Sequence, residues 1–103
     1  MIIYGIKNCD KVRAAMKSAK ADAKINGVDA KLHDFRVQGI DEDLVNAMLA
    51  DIELSQLLNK RSTTWKQLDE FQKIEPNAGT LVAHPTLIKR PVVFDGKTYR
   101  IGY

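Results

Sequence analysis

A single cysteine, Cys9, is the residue of this sequence that is best suited to covalent chemistry. It stands between a short apolar run and a segment with helical periodicity, at the predicted start of a helix. The free N–H groups and the dipole at a helix N-terminus favour the thiolate, the nucleophilic form of cysteine. Lys7, Lys11 and Arg13 add positive charge nearby, and Asp10 works against them. The position therefore predicts redox or covalent chemistry, with a buried structural cysteine as the alternative.

The spacing around Cys9 limits the kind of thiol chemistry. Val12 stands three residues after Cys9, so the chain lacks the Cys-x-x-Cys pair of a self-contained dithiol. A disulfide at Cys9 must therefore involve a second molecule, which implies a monothiol mechanism with an external reductant such as glutathione. His33 and His84 form no metal-binding pattern with one cysteine, so we expect neither a metal nor a tightly bound cofactor.

Three arginines are candidate anion binders, because a guanidinium group pairs with oxyanions and carboxylates through two parallel hydrogen bonds. They are Arg61, Arg90 and Arg100. For each of them, an ordinary surface charge is the alternative. Pro91 follows Arg90 and precedes a predicted strand, which is where a cis-proline could lie beside the thiol of a redox fold.

The composition indicates a small intracellular protein. A chain of 103 residues has the size of one domain, and its 45% hydrophobic share can supply a core. The 16 Lys and Arg residues outnumber the 13 Asp and Glu residues only slightly and are spread along the chain, which argues against a nucleic-acid surface. No signal peptide and no run of about 20 apolar residues is visible, so we expect no membrane partner. One cysteine without a disulfide framework points to the cytoplasm.

The order of predicted elements shows what must position Cys9. Residues 1–4 predict a strand, residues 10–24 a helix ended by Asn26-Gly27, and residues 30–34 a second strand parallel to the first. A second helix begins at Asp41, and shorter helical pieces follow over 54–58, 64–68 and 78–84. Asp95-Gly96 between two β-rich runs predicts a hairpin.

Helical periodicity also predicts which residues are buried. In the first helix the apolar stripe contains Val12, Ala15, Met16, Ala19 and Ala23, and in the second it contains Leu44, Ala47, Met48 and Ile52. Thr63 or Thr64 is the predicted N-cap of the piece that carries Trp65. The fold class is therefore α/β, with helices packed on a small mixed sheet. We expect one domain over residues 1–103, with a helical insert at about 41–86.

Three separated blocks of the sequence resemble the ArsC/Spx family, and most of all its YffB branch of arsenate-reductase-like proteins. The blocks are residues 4–10 (YGIKNCD), 57–68 (LLNKRSTTWKQL) and 84–93 (HPTLIKRPVV), and they span nearly the whole chain. The resemblance implies a bacterial, cytoplasmic protein with a thioredoxin-like fold, a helical insertion and a cis-proline at Pro91. Relatives usually continue into a last helix beyond Gly102-Tyr103, so we expect that helix to be absent here.

The resemblance also implies roles for individual residues. Cys9 falls on the nucleophile, which attacks arsenate in the arsenate reductases before glutathione and glutaredoxin resolve the adduct. Arg90 matches one oxyanion-binding arginine of that family, a second falls on Asn59 with Arg61 nearby, and Arg100 is the nearest candidate for a third. The expected substrate and glutathione site contains Lys7, Asn8, Lys11, Arg13, Arg61, Arg90, Pro91 and Arg100.

These observations lead to one main functional hypothesis and two alternatives. The main hypothesis is an oxidoreductase, a glutathione-dependent thiol or arsenate-type reductase that acts on a small oxyanion or disulfide. Glutathione is its co-substrate, and glutaredoxin is a further candidate partner. The first alternative is a Spx-like transcriptional regulator that binds the C-terminal domain of the RNA polymerase α subunit. The second is a redox-inactive scaffold with a deeply buried, unreactive Cys9.

Overall fold

The structure is a computed structural model that describes all of residues 1–103, and the chain forms two compact units. The first unit combines Met1–Gly39 with Arg90–Tyr103, and the second is Ile40–Lys89. The first contains the sheet and the longest helix, whereas the second is mainly helical. The expected helical insert falls within the second unit. That the whole chain folds as one domain stays a prediction.

A four-stranded mixed sheet forms the first unit. Its elements are β1 (Ile2–Gly5), α1 (Asp10–Asn26), β2 (Lys31–Asp34), β3 (Val92–Phe94) and β4 (Tyr99–Ile101), and the strand order is β2-β1-β3-β4. The two strands joined by α1 run parallel, while β3 runs antiparallel to both β1 and β4. This confirms the predicted α/β class, the βαβ unit and the C-terminal hairpin. No helix follows β4 within the 103 residues.

The strand register brings three chain segments to one end of the sheet. Gly5, the last residue of β1, pairs with Asp34, and the Phe35 N–H donates to the Gly5 carbonyl at 2.9 Å. On the other side of β1, Tyr4 pairs with Val92, so one further step of the same register sets Gly5 opposite Pro91. The segment after β1 therefore leaves the sheet between the end of β2 and the start of β3.

Helix α1 covers one face of this sheet, as its periodicity predicts. Its buried residues are Val12, Ala15 and Ala19, and they form one core cluster with Ile3 of β1 and Val93 of β3. The helix ends at Gly27, whose φ of 75° is left-handed, and the Gly27 N–H donates to the Ala23 carbonyl at 2.9 Å. Glycine suits this position because it has no Cβ to resist a positive φ.

Five helices and a short 3-10 turn make up the second unit. They are α2 (Glu42–Asp51), α3 (Leu54–Leu57), α4 (Thr63–Gln67), α5 (Glu70–Ile74), α6 (Ala78–Ala83) and the 3-10 helix Pro85–Leu87. Within the unit α2 packs against α6. None of the protein's helices is both long enough and apolar enough to cross a membrane.

The buried face of α2 differs from the predicted stripe. Val45 and Met48 are fully buried, whereas Leu44 and Ala47 are half-buried. Met48 and Ile52 are buried as predicted, but Val45 is buried in place of Leu44 and Ala47, because this helix has apolar residues on more than one side. Which side is buried depends on its packing partners rather than on its own sequence.

In the second unit one further local prediction was wrong, and one helix was missed. Ser62, rather than Thr63 or Thr64, caps α4, since its hydroxyl accepts the Trp65 N–H at 3.1 Å. Helix α5 was not predicted, although Asp69 and Gln72 form a reciprocal capping box at its start. That Asp-x-x-Gln spacing is a recognisable signal for a helix N-terminus.

Candidate active site

Cys9 is the N-cap residue of α1, in an extended conformation with φ −89° and ψ 127°. Its carbonyl accepts the Arg13 N–H at 2.9 Å, but its thiol makes no capping hydrogen bond. The side chain is half-buried, contacts the α1 core cluster on one side and is the protein's one free thiol. The sulfur is therefore available at a helix N-terminus, where the N–H groups favour an anion.

A tight turn over residues 6–9, here called the Cys9 loop, connects β1 to α1. The Cys9 N–H donates to the Ile6 carbonyl at 3.0 Å, and the Ile6 side chain is buried. Just before the loop, a Cβ on Gly5 would lie 2.5 Å from Val12 Cγ2. A glycine at this position therefore lets the first turn of α1 approach the end of β1.

Asp34 also contacts the Cys9 loop, and the sequence analysis missed it. Its Oδ2 accepts the Lys7 N–H at 3.1 Å, and its Oδ1 accepts the Arg36 N–H at 2.8 Å. The Arg36 hydrogen bond is the main cause that lowers the pKa of Asp34, against the opposing effect of burial, and the Lys7 hydrogen bond lowers it further. No motif marks this residue, because its partner Lys7 lies 27 positions away.

Arg90 and Pro91 lie at the same end of the sheet as the Cys9 loop. The peptide bond between them is cis, as the family resemblance implied. Pro91 is buried, Arg90 is half-buried, and the Gly102 N–H donates to the Pro91 carbonyl at 2.8 Å. Because Val92, the residue after Pro91, pairs with Tyr4, the start of β3 borders the segment that leads to Cys9.

Two of the predicted basic residues have acidic partners. The Arg13 guanidinium pairs with the Asp10 carboxylate one turn along α1, and both side chains are exposed. Arg100 Nη1 lies 3.8 Å from Oδ2 of Asp95, and Asp95 belongs to the β3–β4 turn. Each cation is therefore partly neutralised by a carboxylate of its own element or hairpin.

The remaining predicted site residues are exposed. Lys7 and Asn8 lie in the Cys9 loop, and Lys11 lies in the first turn of α1. Arg61 belongs to the second unit, where its N–H donates to Asn59 Oδ1 at 3.1 Å, so an approach of Arg61 to Cys9 stays a prediction. No group of three or more His, Cys, Asp or Glu side chains is arranged to bind a metal ion.

An aromatic cluster lies around Tyr4 of β1. The Tyr4 ring lies 4.9 Å from His33, 5.9 Å from Tyr99 and 6.3 Å from Phe35, measured between centroids. Burial, followed by a hydrogen bond with Tyr99, raises the pKa of Tyr4 to about 12. A phenol that stays protonated far above neutral pH is not a suitable general base, so we assign Tyr4 a packing role.

A mixed sheet with a half-buried cysteine at the first helix N-terminus and a cis-proline at the same end of the sheet defines a thioredoxin-like thiol protein. Residues 4–103 match the ArsC family, and the chain belongs to that family. A relative in Haemophilus influenzae, described as an uncharacterized protein, is 44% identical over 98% of this chain and 89% of its own.

Two solved structures agree with this assignment. The YFFB protein is 32% identical, with a TM-score of 0.78 over 99% of this chain and 90% of its own. An arsenate reductase (ArsC) related protein from Brucella melitensis is also 32% identical, with a TM-score of 0.68 over 99% of this chain and 85% of its own. Family membership confirms the predicted resemblance and fold, and it supports a thiol-dependent reductase, an oxidoreductase, at the level of the family.

Proposed function

We propose that this protein is a cytoplasmic, glutathione-dependent monothiol reductase with Cys9 as its nucleophile. The observation that carries the proposal is the placement of the Cys9 thiol at the N-terminus of α1, half-exposed and without a capping hydrogen bond. A reducing cytoplasm keeps such a thiol free. Because the chain has no second cysteine, the oxidised form of Cys9 must be resolved by an external thiol.

With a mixed disulfide of glutathione as substrate, the reaction has two exchange steps. The Cys9 thiolate attacks the glutathione sulfur, a Cys9–glutathione disulfide forms, and the second thiol leaves as a thiolate that takes up a proton. A further glutathione thiolate then attacks the sulfur of the bound glutathione. Oxidised glutathione leaves, and the Cys9 thiolate is regenerated. The net reaction therefore consumes one free glutathione, and the second half of the oxidised glutathione comes from the substrate.

Anion binding is the second part of the proposal. Glutathione carries two carboxylates, and an arsenate-type substrate carries several oxyanion oxygens, both suited to a guanidinium group. Arg90 is the favoured binding group, because it precedes cis-Pro91 at the end of the sheet that carries the Cys9 loop. Lys7, Asn8 and Lys11 are exposed beside Cys9 and supply further donors.

Turnover measurements test the enzyme directly. We expect the wild-type protein to reduce the mixed disulfide of glutathione and 2-mercaptoethanol in a glutathione-coupled assay, with arsenate and added glutaredoxin as separate arms. Arg90→Ala should raise KM for glutathione, whereas Lys24→Ala serves as the control, because it removes a cation from the last turn of α1, at the end of the helix opposite Cys9. No wild-type turnover in any of these arms would refute the proposal.

Glutathione binding can also be mapped by amide chemical shifts. Perturbations clustered at residues 5–13 and 89–92 would support the proposed site. Perturbations confined to other parts of the chain would place glutathione elsewhere and count against it.

A binding role is the second candidate, suggested by the Spx members of the wider family. Two large apolar side chains of α5 are exposed, Phe71 by 85% and Ile74 by 69%, which is typical of an interaction surface. For a regulator, we expect the RNA polymerase α subunit to co-purify with wild-type protein and with Cys9→Ser but not with Phe71→Ser. Absence of this complex would remove the alternative.

A further inference from the structure

We propose that Asp34 is a positioning residue for Cys9: its carboxylate accepts the Lys7 N–H and thereby fixes the Cys9 loop and the direction of the thiol. The inference rests on the proposed reactivity of Cys9. It adds a residue of β2 to a site whose expected members, apart from Arg61 of the second unit, lie in the Cys9 loop, in α1 and around the hairpin.

The burial of Asp34 calls for a specific reason. It is the one charged residue of the chain that is buried, with 7% of its surface exposed. A buried carboxylate is costly unless hydrogen bonds replace its lost water. Neither the Arg13–Asp10 pair nor the Arg100–Asp95 pair involves Asp34, and backbone N–H groups of Lys7 and Arg36 satisfy it instead.

The Lys7 hydrogen bond stabilises the middle of the Cys9 loop, which has no hydrogen bond within the loop itself. The turn closes through its ends, because the Cys9 N–H donates to the Ile6 carbonyl. The Lys7 N–H lies between these ends and has no partner within the turn. By accepting it, Asp34 ties the middle of the Cys9 loop to β2, while the Phe35 N–H ties its base at Gly5.

The Asp34 side of the contact is equally constrained. The Asp34 N–H donates to Gln38 Oε1 at 2.8 Å, and the Asp34 carbonyl accepts the Gln38 N–H at 2.8 Å. Asp34 is therefore fixed by the turn that follows β2 and by its pairing with Gly5. A carboxylate held in place by its own backbone can restrain the Lys7 N–H, whereas a mobile carboxylate would move together with the loop.

The two oxygens make aspartate hard to replace. Oδ1 is used by Arg36 and Oδ2 by Lys7, and both partners are donors. An asparagine has one acceptor oxygen and one NH₂ group, so in either orientation it sets a donor against a donor and loses one hydrogen bond. Asp34→Asn thus changes the hydrogen bonding with almost no change in shape.

Asp95 supplies a matched control. It too is a carboxylate that accepts backbone N–H groups in a turn, those of Lys97 at 2.8 Å and Thr98 at 2.9 Å. A single oxygen, Oδ1, accepts both, so an asparagine can keep them. Asp95→Asn therefore removes the same charge from the same unit without disturbing the Cys9 loop.

The experiment compares wild type, Asp34→Asn and Asp95→Asn by Lys7 amide exchange and by Cys9 alkylation with iodoacetamide across pH. In Asp34→Asn we expect Lys7 exchange to accelerate about tenfold or more, and the alkylation profile to shift along the pH axis. Asp95→Asn should match wild type in both. A folded Asp34→Asn with a wild-type alkylation profile overturns the proposal, whatever happens to Lys7 exchange.

A second measurement applies if Asp34→Asn does not fold. In the wild-type protein, acid titration followed by NMR should move the Lys7 and Cys9 amide signals together with the Asp34 carboxyl carbon. Amide signals that do not follow this carboxyl overturn the proposal. Alkylation needs no glutathione, so a protein without glutathione turnover would refute the proposed function and still leave the role of Asp34 to be decided.

Discussion

Two turns of the first unit are each held by a carboxylate, and they differ in how far that carboxylate reaches. Asp95 accepts N–H groups two and three residues ahead in its own hairpin turn, and its side chain is 38% exposed. Asp34 is buried and accepts an N–H from Lys7, which belongs to a different connection of the chain. The first carboxylate shapes its own turn, whereas the second joins two segments.

The pKa shifts alone do not distinguish these two groups. The N–H groups of Thr98 and Lys97 lower the pKa of Asp95, just as those of Arg36 and Lys7 lower the pKa of Asp34. Water can replace the partners of an exposed carboxylate but not those of a buried one. Burial and the separation of the partners in sequence, rather than the shift itself, therefore indicate which turn supports a site.

The largest effect should come from Cys9→Ser, which tests whether the chemistry depends on the Cys9 loop, to which Asp34 is hydrogen-bonded, and not on the hairpin turn. We expect glutathione-coupled turnover and iodoacetamide labelling to be abolished, because a serine hydroxyl is a poor nucleophile and no other thiol exists. The amide signals of residues 95–98 should remain unchanged, which confirms an intact hairpin. Residual turnover would mean that the activity does not depend on Cys9.

Asp34→Asn should have the next largest effect and should separate the two carboxylates by stability. We expect a loss of about 1 kcal/mol or more in the free energy of unfolding, since a part-buried backbone N–H loses its acceptor. Urea unfolding at pH 7 measures this loss. A loss no larger than that of Asp95→Asn would remove the distinction between the two turns.

Two glycines extend the comparison. Gly5 precedes the Cys9 loop and Gly96 lies in the hairpin turn, and each is needed for a different reason. Gly5→Ala should destabilise by about 1–3 kcal/mol, since the new Cβ meets Val12 Cγ2 in a packed core. Gly96 has φ +107° and open space around it, so Gly96→Ala should cost about 1 kcal/mol through backbone strain alone.

A double-mutant cycle checks the two causes. Val12→Ala removes the clashing methyl group, so it should offset part of the loss from Gly5→Ala and leave the loss from Gly96→Ala unchanged. Losses that simply add for Gly5 and Val12 would contradict a steric cause.

At acid pH the free energy of unfolding should fall, in part because Asp34 becomes protonated. Its pKa is lower in the folded than in the unfolded state, so its stabilisation is fully present above about pH 4 and is lost as the pH falls through the folded pKa. In urea unfolding experiments, the stability difference between wild type and Asp34→Asn should therefore shrink as the pH falls below the ordinary aspartate pKa of about 4. A constant difference would show that ionisation of Asp34 does not contribute.

The smallest effect should come from Asp95→Asn. The amide oxygen can keep both backbone hydrogen bonds of the turn, and what is lost is an exposed contact with Arg100 at 3.8 Å and a long hydrogen bond from the Thr98 hydroxyl to Oδ2 at 3.4 Å. We expect the midpoint of thermal unfolding to move less than it does in Gly96→Ala. A larger shift would mean that charge, and not the amide acceptor alone, stabilises the hairpin.

Local signals in consecutive residues were sufficient to predict much of this fold. The alternation of strand and helix predicted the βαβ unit, Gly27 the end of α1, and Asp95-Gly96 the hairpin. The same kind of signal placed Cys9 at a helix N-terminus. These predictions succeed because turns, caps and periodicity depend on residues a few positions apart.

The tertiary structure alone decided what depends on distant residues. It selected Val45 as a buried residue of α2, paired Arg100 with Asp95, and set Val92, the residue after Pro91, opposite Tyr4. It also brought Asp34 to Lys7, a contact between two strand ends that no local pattern encodes. The sequence determined that Cys9 begins a helix, whereas hydrogen bonds across the sheet determine how the loop before it is fixed.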